Sequence, residues 1–418
     1  MKHYILRLLT ILGSLLVMAC SNDDNGSSNL PEDPMESEMQ LSNIELTTLG
    51  VDNTLVRIDD TLVWEPLEGT NLEYQLFLGT TATTMERIAT TNETSYALEM
   101  DLELGTAYFW QVTAAIDSEV VGESEVASFS TEYIAPRILV ENASFSPRRQ
   151  ANTTAFNGRL WHMGGANAEN PSGLTEIWSS ENGIDWEQEP ITGLEFERIR
   201  DYIALEFNGR LWLSGQSQLY SSDNGINWTR EADPPFVHFG NISMASFNGA
   251  LWRFAGSNGT ITGEPTTEDN IYSSMDGTDW TLRADPHGFF SESNISIVVL
   301  RDLLYCIEQT TIDGVSTTVL WTSDDGINWR EQSRSNLDSF GSRRQMVVFQ
   351  NSLFILAGSR LETYYRSSDG IVWEPATTRE VNTQLFLKNF AELNDTLYAV
   401  GGGGVNAGEE GNTVWIFN

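Results

Sequence analysis

The chain has 418 residues, of which 40% are apolar, so it is long enough for two or more packed domains, and wholesale disorder is excluded. Its formal net charge of −36 argues against nucleic acid and anionic lipid headgroups as ligands, because so acidic a surface repels phosphates. Two cysteines are too few for a disulfide framework.

The first twenty residues have the pattern of a secretion signal. Lys2 and Arg7 give a basic start, and the apolar run that follows is too short to span a bilayer, which takes roughly 20 residues. The run ends in Val17-Met18-Ala19-Cys20, which resembles a bacterial lipobox. The resemblance implies a lipoprotein signal peptide over residues 1–19 and lipidation of Cys20.

Residues 20–40 are polar and rich in Ser, Asn and acidic side chains, which predicts a flexible acidic tether. The acidic segment directly after Cys20 resembles the surface-export tag of Bacteroidota lipoproteins. This resemblance implies a protein held at the outer membrane by its lipid anchor and facing the cell exterior.

Residues 41–134 show short alternating strands that predict an all-β domain. Trp64 and Tyr108 stand where a fibronectin type III domain has its core tryptophan and its tyrosine corner, and the segment resembles that family. The resemblance implies a sandwich in which the Tyr108 hydroxyl bonds back to the backbone. We expect this domain to be a spacer, with ligand binding as the less favoured alternative.

Residues 135–418 contain an internal repeat. Phe-Asn-Gly occurs at 156–158, 207–209 and 247–249, each time followed after two residues by Trp. The same slot recurs three more times, in apolar strands, which makes six copies. The six slot residues are Trp161, Trp212, Trp252, Tyr305, Phe354 and Tyr398.

A second signature lies between these copies. It has two aromatic residues eight positions apart, with an Asn-Gly or Asp-Gly pair between them. Such a pair predicts a tight hairpin turn in which Gly takes a positive φ. The signature resembles the Asp-box, Ser/Thr-x-Asp-x-Gly-x-x-Trp, of sialidase-like propellers. Ser221–Trp228 and Thr322–Trp329 match it fully, whereas Glu181 and Met275 replace its Asp and Arg366 replaces its Ser/Thr.

The Phe-Asn-Gly signature resembles a kelch repeat, with Gly-Gly pairs at Gly164-Gly165 and Gly401-Gly402 only. Kelch and Asp-box proteins are both β-propellers, and about 47 residues per copy suits a four-stranded blade. The sixth copy stops after its third strand, so we expect Ile138-Leu139-Val140 to supply its fourth. The predicted fold is therefore all-β, with a six-bladed propeller closed by pairing of its N- and C-terminal strands.

Every tryptophan of the repeat domain falls in a repeat slot, which favours packing between blades over a sugar-stacking surface. We expect function on the face that carries the blade-joining segments and the variable loops, at 164–176, 256–270, 308–318 and 401–412. Candidate ligand-binding residues there are Arg148, Arg149, Arg198, Arg200, His238, Arg343 and Arg344. Such arginines suit a carboxylate or sulfate, or else they pair with neighbouring acids.

These features predict a surface protein that binds a glycan or an envelope protein. A carbohydrate-active enzyme, either sialidase-like or a kelch-type sugar mutarotase, is one alternative, and a structural or adhesive part of an outer-membrane assembly is another. No catalytic residue and no metal-ligand spacing is recognisable, so no cofactor is predicted, although acidic loops such as the one from Glu264 to Asp269 could bind calcium. Cys306 is expected to be a buried thiol.

Overall fold

The computed structural model describes residues 41–47, 55–57, 60–98, 102–195, 199, 202–215, 218–231, 233–236, 243–254, 260–261, 264–265, 270–284, 295–312, 315–332, 345–357, 364–377, 389–402 and 410–417. Within these ranges the chain forms 35 β-strands and no helix.

The N-terminal domain contains nine strands. They are β1 (Ser42–Ile44), β2 (Leu55–Val56), β3 (Thr61–Val63), β4 (Glu73–Gly79), β5 (Glu86–Thr91), β6 (Ser95–Ala97), β7 (Ala107–Ile116), β8 (Glu119–Ser124) and β9 (Ala127–Thr131). The larger sheet has the order β1-β8-β7-β4-β5, with β9 pairing both β7 and β2, and the smaller sheet joins β3 to β6.

Both sheets of this domain contribute to one hydrophobic core. Leu62 and Trp64 enter it from the smaller sheet, and Leu76 and Trp110 enter it from the larger one. The alternating buried positions along β4 and β7 place every second side chain in this core. The Tyr108 hydroxyl accepts a hydrogen bond from the backbone N–H of Glu103 at 3.1 Å, which ties the start of β7 to the chain before it.

The rest of the chain forms a six-bladed β-propeller, with one four-stranded antiparallel sheet per blade. Blade 1 is β11 (Asn152–Phe156), β12 (Arg159–Met163), β13 (Ile177–Ser180) and β14 (Glu187–Gln188), and blade 2 is β15 (Ile203–Phe207), β16 (Arg210–Gly215), β17 (Gln218–Ser222) and β18 (Thr229–Arg230). Blade 3 is β19 (Ser243–Phe247), β20 (Ala250–Phe254), β23 (Ile271–Ser274) and β24 (Thr281–Ala284), with the two-stranded hairpin of β21 (Thr260–Ile261) and β22 (Glu264–Pro265) inserted after β20.

Blades 4 to 6 follow the same order. Blade 4 is β25 (Ile295–Leu300), β26 (Leu303–Ile312), β27 (Val315–Ser323) and β28 (Arg330–Glu331), and blade 5 is β29 (Gln345–Phe349), β30 (Ser352–Ala357), β31 (Tyr365–Ser367) and β32 (Glu374–Pro375). Blade 6 is β33 (Asn389–Leu393), β34 (Thr396–Val400), β35 (Val414–Phe417) and the early strand β10 (Pro136–Val140).

The two ends of the repeat domain close the ring. Strand β10 pairs antiparallel with β35, with Ile138 opposite Trp415, so the expected fourth strand of the sixth copy is confirmed. The first strand of blade 1, β11, contacts the first strands of both blade 2 and blade 6. Closure therefore gives blade 6 its fourth strand and places first strands of neighbouring blades on both sides of β11.

Each of the first five blades has the same hairpin turn between its third and fourth strands. In blade 2, Ser222 Oγ accepts the N–H of Gly225 at 2.9 Å, Asn224 Oδ1 accepts the next two amides, and the Trp228 indole donates to Gly225 O at 2.9 Å. The turns of blades 1, 3 and 5 repeat all of these bonds. In blade 4, Ser323 Oγ accepts the N–H of Gly326, and Asp325 Oδ1 accepts the next two amides.

The side chains that cap these turns lie one position later than the Asp-box alignment places them. The capping residue directly precedes Gly and is Asn182, Asn224, Asp276, Asp325 or Asp369. Replacement of the Asp-box acid by Glu181 or Met275 therefore leaves the turn intact. The working motif is Ser-x-Asx-Gly-x-x-Trp, and all five copies satisfy it.

The slot aromatic of one blade packs on the turn glycine of the next. A β-carbon placed on Gly225, Gly277 or Gly326 would overlap Trp161, Trp212 or Trp252 of the preceding blade. The same contact pairs Tyr305 with Gly370, and Tyr398 of blade 6 with Gly183 of blade 1. All eleven tryptophans of this domain are buried or half-buried, so the interpretation of the repeated tryptophans as packing residues is confirmed.

Candidate functional site at the junction of blades 6 and 1

The two faces of the propeller carry different connections. The hairpins between first and second strands lie on the same face as the capped turns, because the Asn157 amide of blade 1 donates to Asp223 O in the turn of blade 2 at 3.2 Å. We call this the turn face. The opposite face carries the segments between second and third strands and between blades, and we call it the connecting face.

On the connecting face, the two Gly-Gly pairs hold the entering blade-joining segments. Gly165 N–H donates to Ile199 O at 2.7 Å, and Gly402 N–H donates to Arg148 O at 3.0 Å. The four glycines have φ between +61° and +93°, and Gly164 lies so close to Ile199 that a β-carbon there would overlap it. Arg148 and Ile199 therefore occupy the same position at successive blade junctions.

Arg148 is fully buried and takes part in a dense set of bonds. Its guanidinium donates to Glu176 Oε2 at 2.6 Å, to Gly164 O at 3.0 Å and to both oxygens of Ser146. It also lies over the ring of Phe145, 5.6 Å from the ring centroid. Burial alone would raise the pKa of Glu176, but hydrogen bonds from Arg148 and Trp178 lower it. This pair locks the blade-joining segment against blade 1.

Arg149 points to a different partner. Its Nη1 lies 3.4 Å from Glu410 Oε1 of blade 6, and its side chain keeps 17% of its surface exposed. Its backbone is fixed by reciprocal hydrogen bonds with Ala166. Arg149 lies three residues before the innermost strand β11, so it lies at the mouth of the ring on the connecting face.

A histidine lies beneath this junction. His162 is fully buried on β12, and its Nδ1 is 2.9 Å from Thr153 Oγ1. Its ring packs against Phe145 in a tilted arrangement, with centroids 4.6 Å apart. Phe145 also meets the Trp186 indole edge to face, with centroids 5.3 Å apart. Arg148 lies against the Phe145 ring of this group. Phe145 and Trp186 also belong to the hydrophobic cluster that packs blade 6 against blade 1.

Of the predicted ligand-binding residues, the structure describes Arg148 and Arg149 and brings them together at one junction. The remaining candidates, and the predicted lipidation site, lie outside the described residues; they are Arg198, Arg200, His238, Arg343, Arg344 and Cys20. By sequence position, Arg200 follows Ile199 as Arg149 follows Arg148, so the two arginines occupy equivalent places in the repeat.

Glu176 and Glu410 were not singled out from the sequence as partners of these arginines. Glu410 stands in an acidic loop, Glu409-Glu410, and Glu176 lies two residues before the repeated Trp178. The equivalent position in blade 6, two residues before Trp415, is Thr413, so the two acids do not share a repeat position. Each carboxylate now accounts for one arginine of the expected cluster.

One expected loop of the connecting face is different. Residues 308–318 were expected to be a long loop, but β26 and β27 continue through them as a paired hairpin that ends at Ile312 opposite Val315. The sequence between these two residues is Asp-Gly with β-branched residues on either side, which is a hairpin signal.

Several other features of the described residues bear on chemistry. No group of three or more His, Cys, Asp or Glu side chains there is arranged to hold a metal ion. Among the same residues, none forms a helix with the length and apolar character that crossing a bilayer requires. Cys306 is fully buried as expected, and burial raises the pKa of its thiol well above the ordinary value.

The family model of the DUF6242 beta propeller domain matches residues 280–417, which hold blades 4 to 6 apart from β10. No curated protein shows a significant match to the chain. This match, together with the six four-stranded sheets and the pairing of β10 with β35, identifies the repeat domain as a six-bladed propeller.

Solved structures resemble the chain only distantly. YjhT has a TM-score of 0.48 at 12% identity, covering 66% of this chain and 95% of that one. A family 117 glycoside hydrolase of Zobellia galactanivorans has a TM-score of 0.35 at 10% identity, with 68% and 89% covered. A Bombyx mori GH32 beta-fructofuranosidase has a TM-score of 0.33 at 11% identity, with 67% and 61% covered.

Proposed function

We propose that the protein is a lipoprotein of the outer membrane, anchored through Cys20 and facing the cell exterior, whose propeller binds a ligand on its connecting face. The ligand is a glycan, or an envelope protein, that presents a carboxylate or sulfate. The N-terminal domain is fibronectin type III-like and acts as the spacer between membrane and propeller. Its two-sheet core and the bond to the Tyr108 hydroxyl support that family resemblance.

The observation that carries the ligand-binding proposal is the exposed part of Arg149 at the mouth of the ring. Its neighbour Arg148 has no exposed surface and is committed to Glu176 and Gly164. Arg149 keeps 17% of its side chain exposed, and the Glu410 oxygen lies 3.4 Å away. The exposed part of Arg149 is where a ligand carboxylate or sulfate would bind, because the planar guanidinium fork suits such groups.

The turn face supports the same choice by contrast. The Ser, Asx and Trp side chains of its turns make hydrogen bonds within the turns. Its Arg210 forms ion pairs with Asp223 at 2.8 Å and with Glu231 at 3.2 Å. Loops of varied length are confined to the connecting face, where binding residues are commonly found on rigid scaffolds.

A glycan array that displays neutral, uronate-bearing and sulfated oligosaccharides tests the proposal on the full chain. We expect retention of acidic glycans, and Arg149→Gln should weaken it about tenfold or more, because a charge-assisted bidentate contact is lost. Arg210→Gln on the turn face is the matched control and should leave retention unchanged. Absence of binding to any acidic glycan, or equal loss in both variants, would contradict the glycan proposal.

The array also distinguishes the two other functions. Release of a cleaved or isomerised sugar would indicate a carbohydrate-active enzyme. Co-purification with a membrane complex, without sugar retention, would indicate a structural part of an assembly. The anchor is tested separately: Cys20→Ala should move the protein from the membrane fraction to the soluble fraction, and protease added to intact cells should cleave only a surface-exposed parent.

A further inference from the structure

Blade 6 lacks the capped turn of the other blades, and the pairing register shows which residues stand in its place. In blade 1, Trp178 lies opposite Gln188, and in blade 6 the equivalent Trp415 lies opposite Ile138. Gly183 lies five residues before Gln188, and Tyr133 lies five residues before Ile138. Residues 133–135 therefore occupy the positions that Gly183 and the next two residues occupy in blade 1. The chain that arrives from the N-terminal domain therefore reaches the ring at the position of a turn.

This arriving segment fills the seam between blades 5 and 6. At the other five seams the slot aromatic of one blade packs on the turn glycine of the next. Phe354 is the slot aromatic of blade 5, and residues 133–135, which stand in place of the turn of blade 6, contain no glycine. Ile134 is fully buried instead and belongs to the same hydrophobic cluster as Phe354, Tyr364 and Phe417. An isoleucine thus supplies the apolar contact that a turn supplies elsewhere.

Polar contacts fix the same segment to blade 5. The backbone N–H groups of Tyr133 and Ile134 donate to Ala376 O at 2.8 and 3.2 Å. Thr377 Oγ1 donates to Glu132 Oε2 at 2.6 Å, and both residues are buried. These bonds lie directly before β10, so the chain is held by blade 5 before it pairs with blade 6.

A cation–π contact adds to this attachment. The guanidinium of Arg366 lies over the Tyr133 ring, 4.3 Å from its centroid, and pairs with Glu374 at 3.0 Å. On the other side, Glu132 remains tied to the N-terminal domain, because its N–H donates to Val56 O at 2.8 Å and its carbonyl accepts the N–H of Gly105 at 3.0 Å. Residues Ser42–Asn418 correspondingly form a single compact unit.

We propose that residues 132–135 act as the sixth turn of the propeller and as a clamp on its closing strand. The propeller then begins at Glu132, three residues before the boundary expected from the sequence. Two consequences follow. The N-terminal domain is a rigid mount for the propeller, and tension entering from the N-terminal side is borne by blade 5 and does not peel β10 from β35.

Two insertion variants of the full chain test where the ring begins. One carries Gly-Gly-Ser-Gly between Thr131 and Glu132, and the other carries it between Ala135 and Pro136. The readout is amide hydrogen exchange of β10 and β35, followed by mass spectrometry. We expect the first insertion to leave exchange within about twofold of the parent and the second to raise it about tenfold or more, because only the second separates the clamp from the strand. Equal effects, or a larger effect of the first insertion, would overturn the proposal.

A point variant keeps the test informative if an insertion prevents folding. Thr377→Val removes the bond to Glu132 and should raise exchange in β10 about threefold or more while leaving β11 unchanged, because local opening reports local contacts. Thr281→Val, at an exposed position of β24, is the matched control and should change neither. Unchanged exchange of β10 in Thr377→Val would show that the Thr377–Glu132 bond is not part of the clamp and would contradict the proposal as stated.

The rigid mount has its own readout. Small-angle X-ray scattering should show a larger maximum dimension for the Thr131–Glu132 insertion than for the parent, because the insertion moves Glu132 out of the β2–β9 ladder and so breaks its bonds to Val56 and Gly105. Identical scattering profiles would show that the parent is already flexible at this point and would overturn the rigid mount.

Discussion

The indole of Trp161 in blade 1 lies directly against Gly225 in the turn of blade 2, with no room for a β-carbon between them. Gly225 has a φ of +77°, so the residue is required both by the backbone conformation and by the ring that covers it. The Trp161 indole also donates to Phe156 O at 3.0 Å, which fixes the ring in this position. One glycine therefore serves the turn of its own blade and the packing of its neighbour.

Substitution of two glycines separates these roles. Gly209→Ala should cost about 1–2 kcal/mol of unfolding free energy, because its φ is +70° and nothing lies within 4 Å of the added carbon. Gly225→Ala should cost about 1–3 kcal/mol more, because the added carbon overlaps Trp161. Denaturant unfolding of the full chain measures both. Equal losses would mean that the seam between blades 1 and 2 relaxes freely around the ring.

Truncation of a turn tryptophan should be strongly destabilising. Trp228 is 5% exposed and packs within the cluster between blades 1 and 2, so Trp228→Ala should cost about 3–5 kcal/mol. Ile371→Ala, at an exposed position of the blade 5 turn, should stay within about 0.5 kcal/mol of the parent. A thermal melt that Trp228→Ala leaves unchanged would contradict its role in packing.

The capped turns should make stability fall in acid. Backbone amides two and three residues later lower the pKa of Asp276 to about 2. Burial opposes ionisation of Asp325, but hydrogen bonds to its carboxylate outweigh it and lower its pKa to about 2, and turn amides lower that of Asp369. Because these pKa values lie below the unfolded value of about 3.9, the stabilisation is present above about pH 4 and is lost as the pH falls towards 2.

Asparagine at these positions should remove that part of the acid response. Asn182 and Asn224 already cap two of the turns through the same Oδ1 atom, so Asp276→Asn, Asp325→Asn and Asp369→Asn together should preserve the fold at pH 7. Urea midpoints recorded from pH 7 to pH 2 should then decline less than those of the parent. Parallel declines would show that other carboxylates account for the acid sensitivity.

The ion pair of buried Arg148 and partly exposed Glu176 should behave as one unit. Arg148→Met should cost about 1–3 kcal/mol, because Gly164 O and Ser146 lose their buried donor and the partly exposed Glu176 loses its counter-charge. The double variant Arg148→Met, Glu176→Gln should lose less than the sum of the two single variants, since the stranded charge is gone. Additive losses in denaturant unfolding would mean that the two side chains act independently.

The ring itself was readable from the sequence because its determinants are local and repeat. Phe-Asn-Gly marks a hairpin in blades 1 to 3, and the aromatic pair marks a hairpin in blades 1 to 5. The repeat pattern also identifies Ile138-Leu139-Val140 as a fourth strand, which the pairing of β10 with β35 confirms. The capping position was placed one residue early, because both Asp223 and Asn224 precede Gly225 in an acidic turn. Only the distances show that Asn224 Oδ1 receives the amides, whereas Asp223 pairs with Arg210.

The site was less accessible to sequence reasoning because its contacts are long-range. The arginines of blade-joining segments could be named, but their partners could not. Glu176 is 28 residues from Arg148, and Glu410 reaches Arg149 only because blade 6 closes against blade 1. The role of Ile134 was equally hidden, since an apolar residue in a linker has no signature until the pairing register of β10 is known.

The first and last strands of the ring, β10 and β35, lie side by side, with Pro136 opposite Phe417. A circularly permuted chain, in which a Ser-x-Asx-Gly-x-x turn links these two residues and new ends open in the turn of another blade, would trace the same six sheets. Such a chain would change the order in which the blades are synthesised while keeping the neighbours of every sheet. The missing turn of blade 6 thus marks the point where the N-terminal domain joins the ring.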